Sequence, residues 1–440
     1  MRTRFQARLA GGPFIYNPNP MGEHSQGHGL GQGLGQIQKI PTGPLQNQRG
    51  LLNIGNTCYL NSAFQCLRHT AVFREYLGTT KWQKHRHPDR KGYNLAHYVS
   101  ELVAALAHPG SAPLHPQDFV REFLKAAQDF NSDIRFGVQA DADEAIGILL
   151  DSLHIQLARP VHMVIQGFDE EQKALLTPDQ LEYVKSLESW NTYYNKEYSP
   201  FIEGFFGQTQ VRLVCNHPGC TRNTVAYEPW NLLKLEIPGA DVEGSLAPDL
   251  HACLASFFKS ELLADYTCEL CKQVGTTRKD YSISRFPPTI IITLKRFTNS
   301  QFKVRAPIAY DPDDVDLSEW RSWSSIQTVA DTQYRIVSTI EHLGTSRGGH
   351  YKMRHRIPWK EEDDADDDDV ETEKKTAEKE TTEKEGTSKT EDGAEDGAEE
   401  EEEEESDTWL VFDDARVTVS SCGGESGPDT YVLVLEKISP

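Results

Sequence analysis

The sequence predicts an α+β fold, with helices in its first half and antiparallel strands in its second. Apolar residues recur at helical spacing from about 58 to 160 and at strand spacing from about 200 onward. One acid-rich stretch without aromatic residues, 360–407, interrupts the strand half between two strand-like segments.

The chain opens with residues 1–49, where GEHSQGHGLGQGLGQIQ offers little to bury, so this part reads as a disordered tail. Order is expected from Gly50-Leu51-Leu52. A first helix follows from Leu60, Ala63, Phe64 and Leu67, spaced i, i+3, i+4, i+7. Further helices are expected over 95–106, over 116–127 with Pro116 near its start, and over 141–157 with three acids in its first turn. A last helix is expected from Leu250 to Leu263, with Leu250, Leu254, Phe257, Phe258 and Leu262 on one face. The strand segments are VRLVC, NTVAYEPW, LLKLEI, YSISRF, TIIITLKRF, YRIVSTI, HYKMRHRI, WLVFDD, ARVTVS and TYVLVLEKI. The acidic stretch falls between HYKMRHRI and WLVFDD and reads as an expanded hairpin loop. Closure entropy grows only logarithmically, so a tenfold longer loop costs roughly 2 kcal/mol.

Of the 440 residues 38% are hydrophobic, which leaves part of the chain outside any core. Residues 361–405 hold 25 acids and 5 lysines, a net of −20, so −22 minus −20 leaves about −2 elsewhere. The rest carries no basic stripe and argues against a nucleic-acid binder. No apolar run reaches the length of a membrane span, and the N-terminus lacks the apolar stretch of a signal peptide. The expectation is a soluble cytoplasmic and/or nuclear protein without a membrane partner.

Cys58, in NIGNTCYLNSAFQCL, follows a glycine-asparagine turn and heads the first helix. Packing, metal binding, a disulfide or nucleophilic attack would each suit a cysteine. The helix start favours the last, because the dipole and free amides there stabilise a thiolate. Asn53 is placed to offer an amide to a developing oxyanion. A nucleophile needs a base, and a base needs an orienting acceptor. His350, in the Gly348-Gly349-His350-Tyr351 setting, is the candidate base; Asp413, at a strand end, is the candidate acceptor, with Asp414 as a possible auxiliary. Cys66 has no polar setting and reads as packing.

GLLNIGNTCYLNS resembles the cysteine box of the ubiquitin-specific proteases, and GGHYKMR with WLVFDDARV resembles their histidine box. QADADEA at 139–145, FFGQTQVRLVC, YEPWNLLKLEIP, FPPTIIITLKRF and TYVLVLEKI are similar to further segments of that family, so the resemblance spans most of 50–440. It implies a papain-like, hand-shaped fold: a mainly helical thumb over 50–199, fingers over 200–285 and an antiparallel β palm over 286–440, interrupted by the 360–407 insert. It also implies a thiol-dependent deubiquitinase acting on ubiquitin and ubiquitinated proteins, with Cys58 as nucleophile, His350 as base, Asp413 as its orienter and Asn53 at the oxyanion. No cofactor serves the catalysis. Asp141, Glu144, Gly349 and Tyr351 would bind the substrate's basic, glycine-ended tail. Ala140 and Ala145 depart from the family's Gln and Phe, which alters the cleft there. An inactive ubiquitin-binding module of the same fold is the alternative.

Cys215 and Cys220, then Cys268 and Cys271, form two pairs separated by 47 residues. Two cysteine pairs on separate turns suit a structural zinc ion. Free thiols are the competing reading, and the resemblance supports zinc. His217 is a further possible ligand, while Cys253 and Cys422 look unspecialised. For the acidic insert, the plain reading is a solvated spacer. The sharper one is a polyanion beside the catalytic loop that competes for ubiquitin's basic surface or binds a basic partner.

Overall fold

The computed structural model describes residues 19–20, 48–87, 93–162, 176–239, 248–297, 302–325, 327–357, 408–420 and 427–438. The expectations for the N-terminal tail (residues 19 and 20 apart), for the acidic insert and for Cys422 lie outside these residues.

The helical half is built around α1 (Cys58–Arg68), in which every residue from Cys58 to Leu67 is buried. Its apolar stripe alone would not bury all sides. It is enclosed because α2 (Leu95–Ala107), α3 (Gln117–Ala127) and α4 (Ala142–Leu157) pack around one side and the large sheet covers the other. Sequence reading places these four helices to within a residue or so. It does not single out α5 (Pro178–Tyr194), whose apolar residues lack a clean helical period. Its start was nevertheless written in the chain: Thr177 and Gln180 form a reciprocal capping box with Pro178 in the first turn. A short α6 (Pro200–Phe205) follows.

Besides a two-residue antiparallel pairing of Asn19–Pro20, in the tail expected to be disordered, with Val161–His162, two larger sheets make up the rest. The smaller has four strands, β1 (Gly207–Cys215), β2 (Asn223–Trp230), β4 (Glu261–Leu263) and β5 (Thr277–Arg285), ordered β2-β1-β5-β4. The larger runs β11-β10-β9-β8-β12-β6-β3. Its members are β3 (Leu233–Leu235), β6 (Thr289–Leu294), β8 (Gln333–Thr345), β9 (Gly348–Ile357), β10 (Thr408–Asp413), β11 (Arg416–Ser420) and β12 (Thr430–Lys437), with the two-residue β7 (Val315–Asp316) beside β8. It is not wholly antiparallel, because β3 joins β6 in parallel. Both faces of this sheet are covered. Ile291, Val432 and Val434 point into the core shared with the helices, while Ile290, Ile292, Leu433 and Leu435 point into a second core. That is why TIIITL is continuously apolar and not alternating.

One expectation needs correction. The last helix, α7 (Leu250–Phe257), stops short of the expected Leu263, and Leu262 lies in β4, paired with Arg278 and 60% exposed. The heptad-like spacing that extended the helix to Leu263 was coincidental, and pairing with β5 decides the conformation of that segment. The hairpin also fixes where the acidic insert is attached. β9 and β10 pair antiparallel with Ile357 opposite Thr408, so 358–407 do connect a hairpin. Its open end, however, is remote from His350: at about 3.3 Å per residue, Ile357 stands roughly 23 Å along the strand. The insert is adjacent to the histidine strand in sequence, yet it leaves the fold at the other end of that strand.

Candidate active site and cysteine cluster

The loop before α1 is shaped by one side chain. Asn53 Oδ1 accepts the backbone N–H groups of Gly55 at 3.2 Å and Thr57 at 3.1 Å, curling the chain into the helix. Gly55 has φ +138°, which strains any residue with a Cβ, and the Phe136 ring lies 3.0 Å from where that Cβ would be. Asn56 sits in the left-handed region and donates to Gly137 O at 2.7 Å. Cys58 is the first helical residue and 3% exposed.

Burial pushes the Cys58 thiol above its ordinary value, and the nearby Asp414 carboxylate adds to the rise. The backbone amides of Tyr351, Tyr59 and Cys58 itself oppose it. The amide stabilisation expected of a helix start is therefore present, but desolvation outweighs it. The resting group is a thiol that needs a base.

His350 and Asp413 are brought together by the hairpin. Asp413 ends β10, His350 lies near the start of β9, and His350 Nε2 meets Asp413 Oδ1 at 2.6 Å. The other ring nitrogen, Nδ1, is left for a second partner. Burial pushes the Asp413 carboxyl up, but Lys352 and His350 outweigh it and hold it below the usual carboxylate range. Lys352, which sequence reading did not single out, reaches Asp413 Oδ2 at 2.8 Å. Its position two residues from His350, on the same strand face, was the available signal.

Asp414 has a carboxylate oxygen within 4.8 Å of a His350 ring nitrogen, but both of its oxygens are engaged elsewhere. Its Oδ2 takes the Asn53 amide at 2.9 Å and its Oδ1 takes the Asn61 amide at 2.8 Å. The Asn53 Nδ2 expected at the oxyanion thus spends one of its two N–H groups on Asp414. The backbone closes the same joint, with Leu51 N donating to Asp414 O at 2.8 Å. A Cβ on Gly50 would stand 2.4 Å from that oxygen.

Next to this joint the helix α4 and the sheet frame a cleft of about 380 Å³ lined by Asp141, Asp143, Glu144, Lys234, Arg296 and Tyr431. Tyr351 donates to Asp141 at 3.1 Å and Tyr431 to Asp143 at 2.9 Å. Lys234 pairs with Asp143 at 2.8 Å, and Glu144 accepts from Asn131 at 2.6 Å. Asp141 is open to solvent on one side, yet the cleft walls desolvate its carboxyl and push it up, with Asp143 adding to the rise. Gly349 is gripped by Gln139, whose amide both donates to its carbonyl at 3.0 Å and accepts its N–H at 3.2 Å. Gln139 opens the QADADEA segment but was not chosen from sequence.

The four other cysteines meet at one end of the smaller sheet. Cys215 ends β1, Cys220 follows in the turn to β2, and Cys268 and Cys271 lie in the turn before β5. Their sulfurs all fall within 4.8 Å of one another, with Cys215–Cys271 at 3.6 Å and Cys220–Cys268 at 3.8 Å. Those separations exceed a disulfide and match the edge of about 3.8 Å that a zinc–thiolate tetrahedron has. The Thr276 hydroxyl, 3.3 Å from Cys215 Sγ, helps pull that thiol down to about 6, which suits a thiolate ligand. The residues present fit a zinc ion. His217 is not part of the cluster.

The sequence pattern of the family described as "Ubiquitin carboxyl-terminal hydrolase" matches residues 49–434. The chain is 28% identical over 326 residues to Ubiquitin carboxyl-terminal hydrolase Usp2 of Drosophila melanogaster, covering 72% of this chain and 32% of that protein. It is 28% identical over 322 residues to Ubiquitin carboxyl-terminal hydrolase 2 of Bos taurus, covering 71% of this chain and 50% of that protein. It thus spans half or less of the length of these relatives. Among solved structures it is similar in fold to the SAGA DUB module of Ubp8, Sgf11, Sus1 and Sgf73 bound to monoubiquitin. That match has a TM-score of 0.57 and 19% identity, and covers 90% of this chain and 70% of that one.

Proposed function

The chain belongs to the ubiquitin carboxyl-terminal hydrolase family, and from that premise we propose that it is a cysteine peptidase that cuts ubiquitin from its conjugates. The observation that carries this reading is the His350–Asp413 contact on the strand pair that packs against α1, the helix headed by Cys58. In the proposed reaction, His350 Nδ1 takes the Cys58 proton as the sulfur attacks the carbonyl of ubiquitin's terminal glycine. Asp413 holds the ring and stabilises the imidazolium. The remaining N–H of Asn53 and the Cys58 amide receive the tetrahedral oxyanion. The imidazolium then returns its proton to the departing lysine amine, leaving a thioester. Water, deprotonated by the same imidazole, hydrolyses it and frees the thiol.

Asp141 and Glu144, with Gly349 and Tyr351 beside them, would take the basic tail of ubiquitin along the cleft. Asp141, Asp143 and Glu144 line that cleft together with Lys234, Lys295 and Arg296, so the reading rests on individual carboxylates as partners and not on a net negative charge. Zinc held by Cys215, Cys220, Cys268 and Cys271 would fix the tip of the smaller sheet and take no part in the chemistry. The SAGA DUB module described above was solved bound to monoubiquitin, which agrees with ubiquitin as the partner.

Purified protein treated with ubiquitin carrying a C-terminal thiol-reactive group tests the reading, beside a Cys58→Ala control. A covalent adduct on the parent alone is expected. A folded, reduced parent that binds ubiquitin and forms no adduct would make it a binding module instead.

A further inference from the structure

A carboxylate that orients an imidazole has a second oxygen, and whatever holds that oxygen decides how firmly the first is aimed. In Asp413 the two are shared between His350 Nε2 at 2.6 Å and Lys352 Nζ at 2.8 Å. The pair is partly shielded, with the Lys352 side chain 30% and the Asp413 side chain 32% exposed. His350 and Lys352 lie two residues apart on β9, so one strand face presents both to the end of β10.

We propose that Lys352 is a positioning residue of this site: its ammonium fixes the Asp413 carboxylate and takes up part of its charge, so that His350 is oriented without being over-stabilised as the cation. The inference rests on the reading of His350 as the base. Other titratable or charged groups stand on each neighbouring element. Asp414 comes from the turn, with a carboxylate oxygen within 4.8 Å of the His350 nitrogen, and Cys58 comes from α1. His342 approaches from β8, where Leu343 pairs with His350, and Arg416 stands opposite Asp413 on β11. Asp414 is committed to two asparagine amides. Without Lys352 the full Asp413 charge would act on the imidazolium, which would hold its proton to higher pH. The carboxylate would also be free to turn away from the ring.

The experiment compares the full chain with Lys352→Met and Lys352→Arg, with Lys352→Gln in reserve should the Met variant fail to fold. Two profiles are measured against pH: hydrolysis of a fluorogenic ubiquitin C-terminal amide, and iodoacetamide alkylation of Cys58 followed by mass spectrometry. In Lys352→Met, kcat is expected to fall roughly tenfold with KM little changed. The acidic limb of both profiles is expected to move up by about half a pH unit. Lys352→Arg restores both. Profiles that superimpose on the parent's, or an Arg variant that behaves like the Met variant, would overturn the proposal. A parent that alkylates normally but fails to hydrolyse ubiquitin sinks the proposed function, while the alkylation profiles still decide the role of Lys352.

Discussion

Asn61, one turn into α1, donates its side-chain amide to Asp414 at 2.8 Å, tying the helix headed by Cys58 to the turn that follows Asp413. The two are 353 positions apart in the chain, and neither touches the reacting sulfur in the proposed reaction. Asn61 is 2% exposed, so its amide has no solvent to fall back on. Asp414→Ala would remove the shortest partner of the buried Asn61 amide, leaving it contacts of 3.4 Å to the Leu51 and Leu52 carbonyls, and would lose a residue tolerant of the left-handed φ of 48°. Loss of about 1–3 kcal/mol is expected in denaturant melts, with a larger fall in kcat than in 1/KM. Unchanged stability would mean that the joint is held by its backbone bond alone.

The cysteine cluster predicts a metal-dependent fold for the smaller sheet. Chelation or Cys268→Ser should lower the melting temperature, and elemental analysis should find one zinc per chain before chelation and none after. Cys253→Ser, outside the cluster, should keep its zinc.

His69, at the end of α1, stacks on His355 of β9 with ring centroids 3.8 Å apart. Burial and the nearby Arg68 hold both rings neutral, with His355 pushed down to about 3. In the unfolded chain each titrates near 6.5, so between those values the unfolded state binds more protons. Stability should be complete above about pH 6.5 and fall as pH drops from there towards 3. His69→Phe keeps the stacking and removes one of the two protons taken up, so its stability should decline less steeply with acid in pH-resolved melts.

In the proposed cleft, Asp141→Asn keeps the shape of the Tyr351 partner but removes a charge. KM for a ubiquitin substrate should rise about tenfold with kcat little changed. A fall in kcat alone would place Asp141 in the chemistry rather than in binding.

Deleting 361–405 should leave the hydrolysis rate within about twofold and its salt dependence unchanged. The attachment point on β9 lies roughly 23 Å from His350, so a contribution to the rate would need the tether to reach back over that distance. A flattened salt slope in the deletion would restore the idea that this polyanion competes for a basic partner.

Much of this molecule was legible in its sequence, and the illegible parts share a cause. The helices α1 to α4 announce themselves because each buries one periodic face. The cysteine pairs are legible because ligand spacing is local. What resisted reading depends on which strands lie side by side. Lys352 looks like the solvent-facing residue of an ordinary strand until β10 brings Asp413 to it. Asp414 looks like a spare acid until the turn aims it at Asn53 and Asn61. Leu262 looked helical because an apolar residue at the right interval says nothing about the β5 partner that claims it.

The β9–β10 pairing holds one more implication. Met353 to Ile357 are laddered to Thr408 to Phe412 irrespective of what joins them. A single proteolytic cut between 358 and 407 would therefore yield two pieces that need not part, since the C-terminal piece contributes β10, β11 and β12 to a sheet whose other strands belong to the first. Co-expressed as separate polypeptides, 1–357 and 408–440 would be natural candidates for complementation. Cys58 and His350 would come from one and Asp413 from the other, so that the completed triad would itself report reassembly.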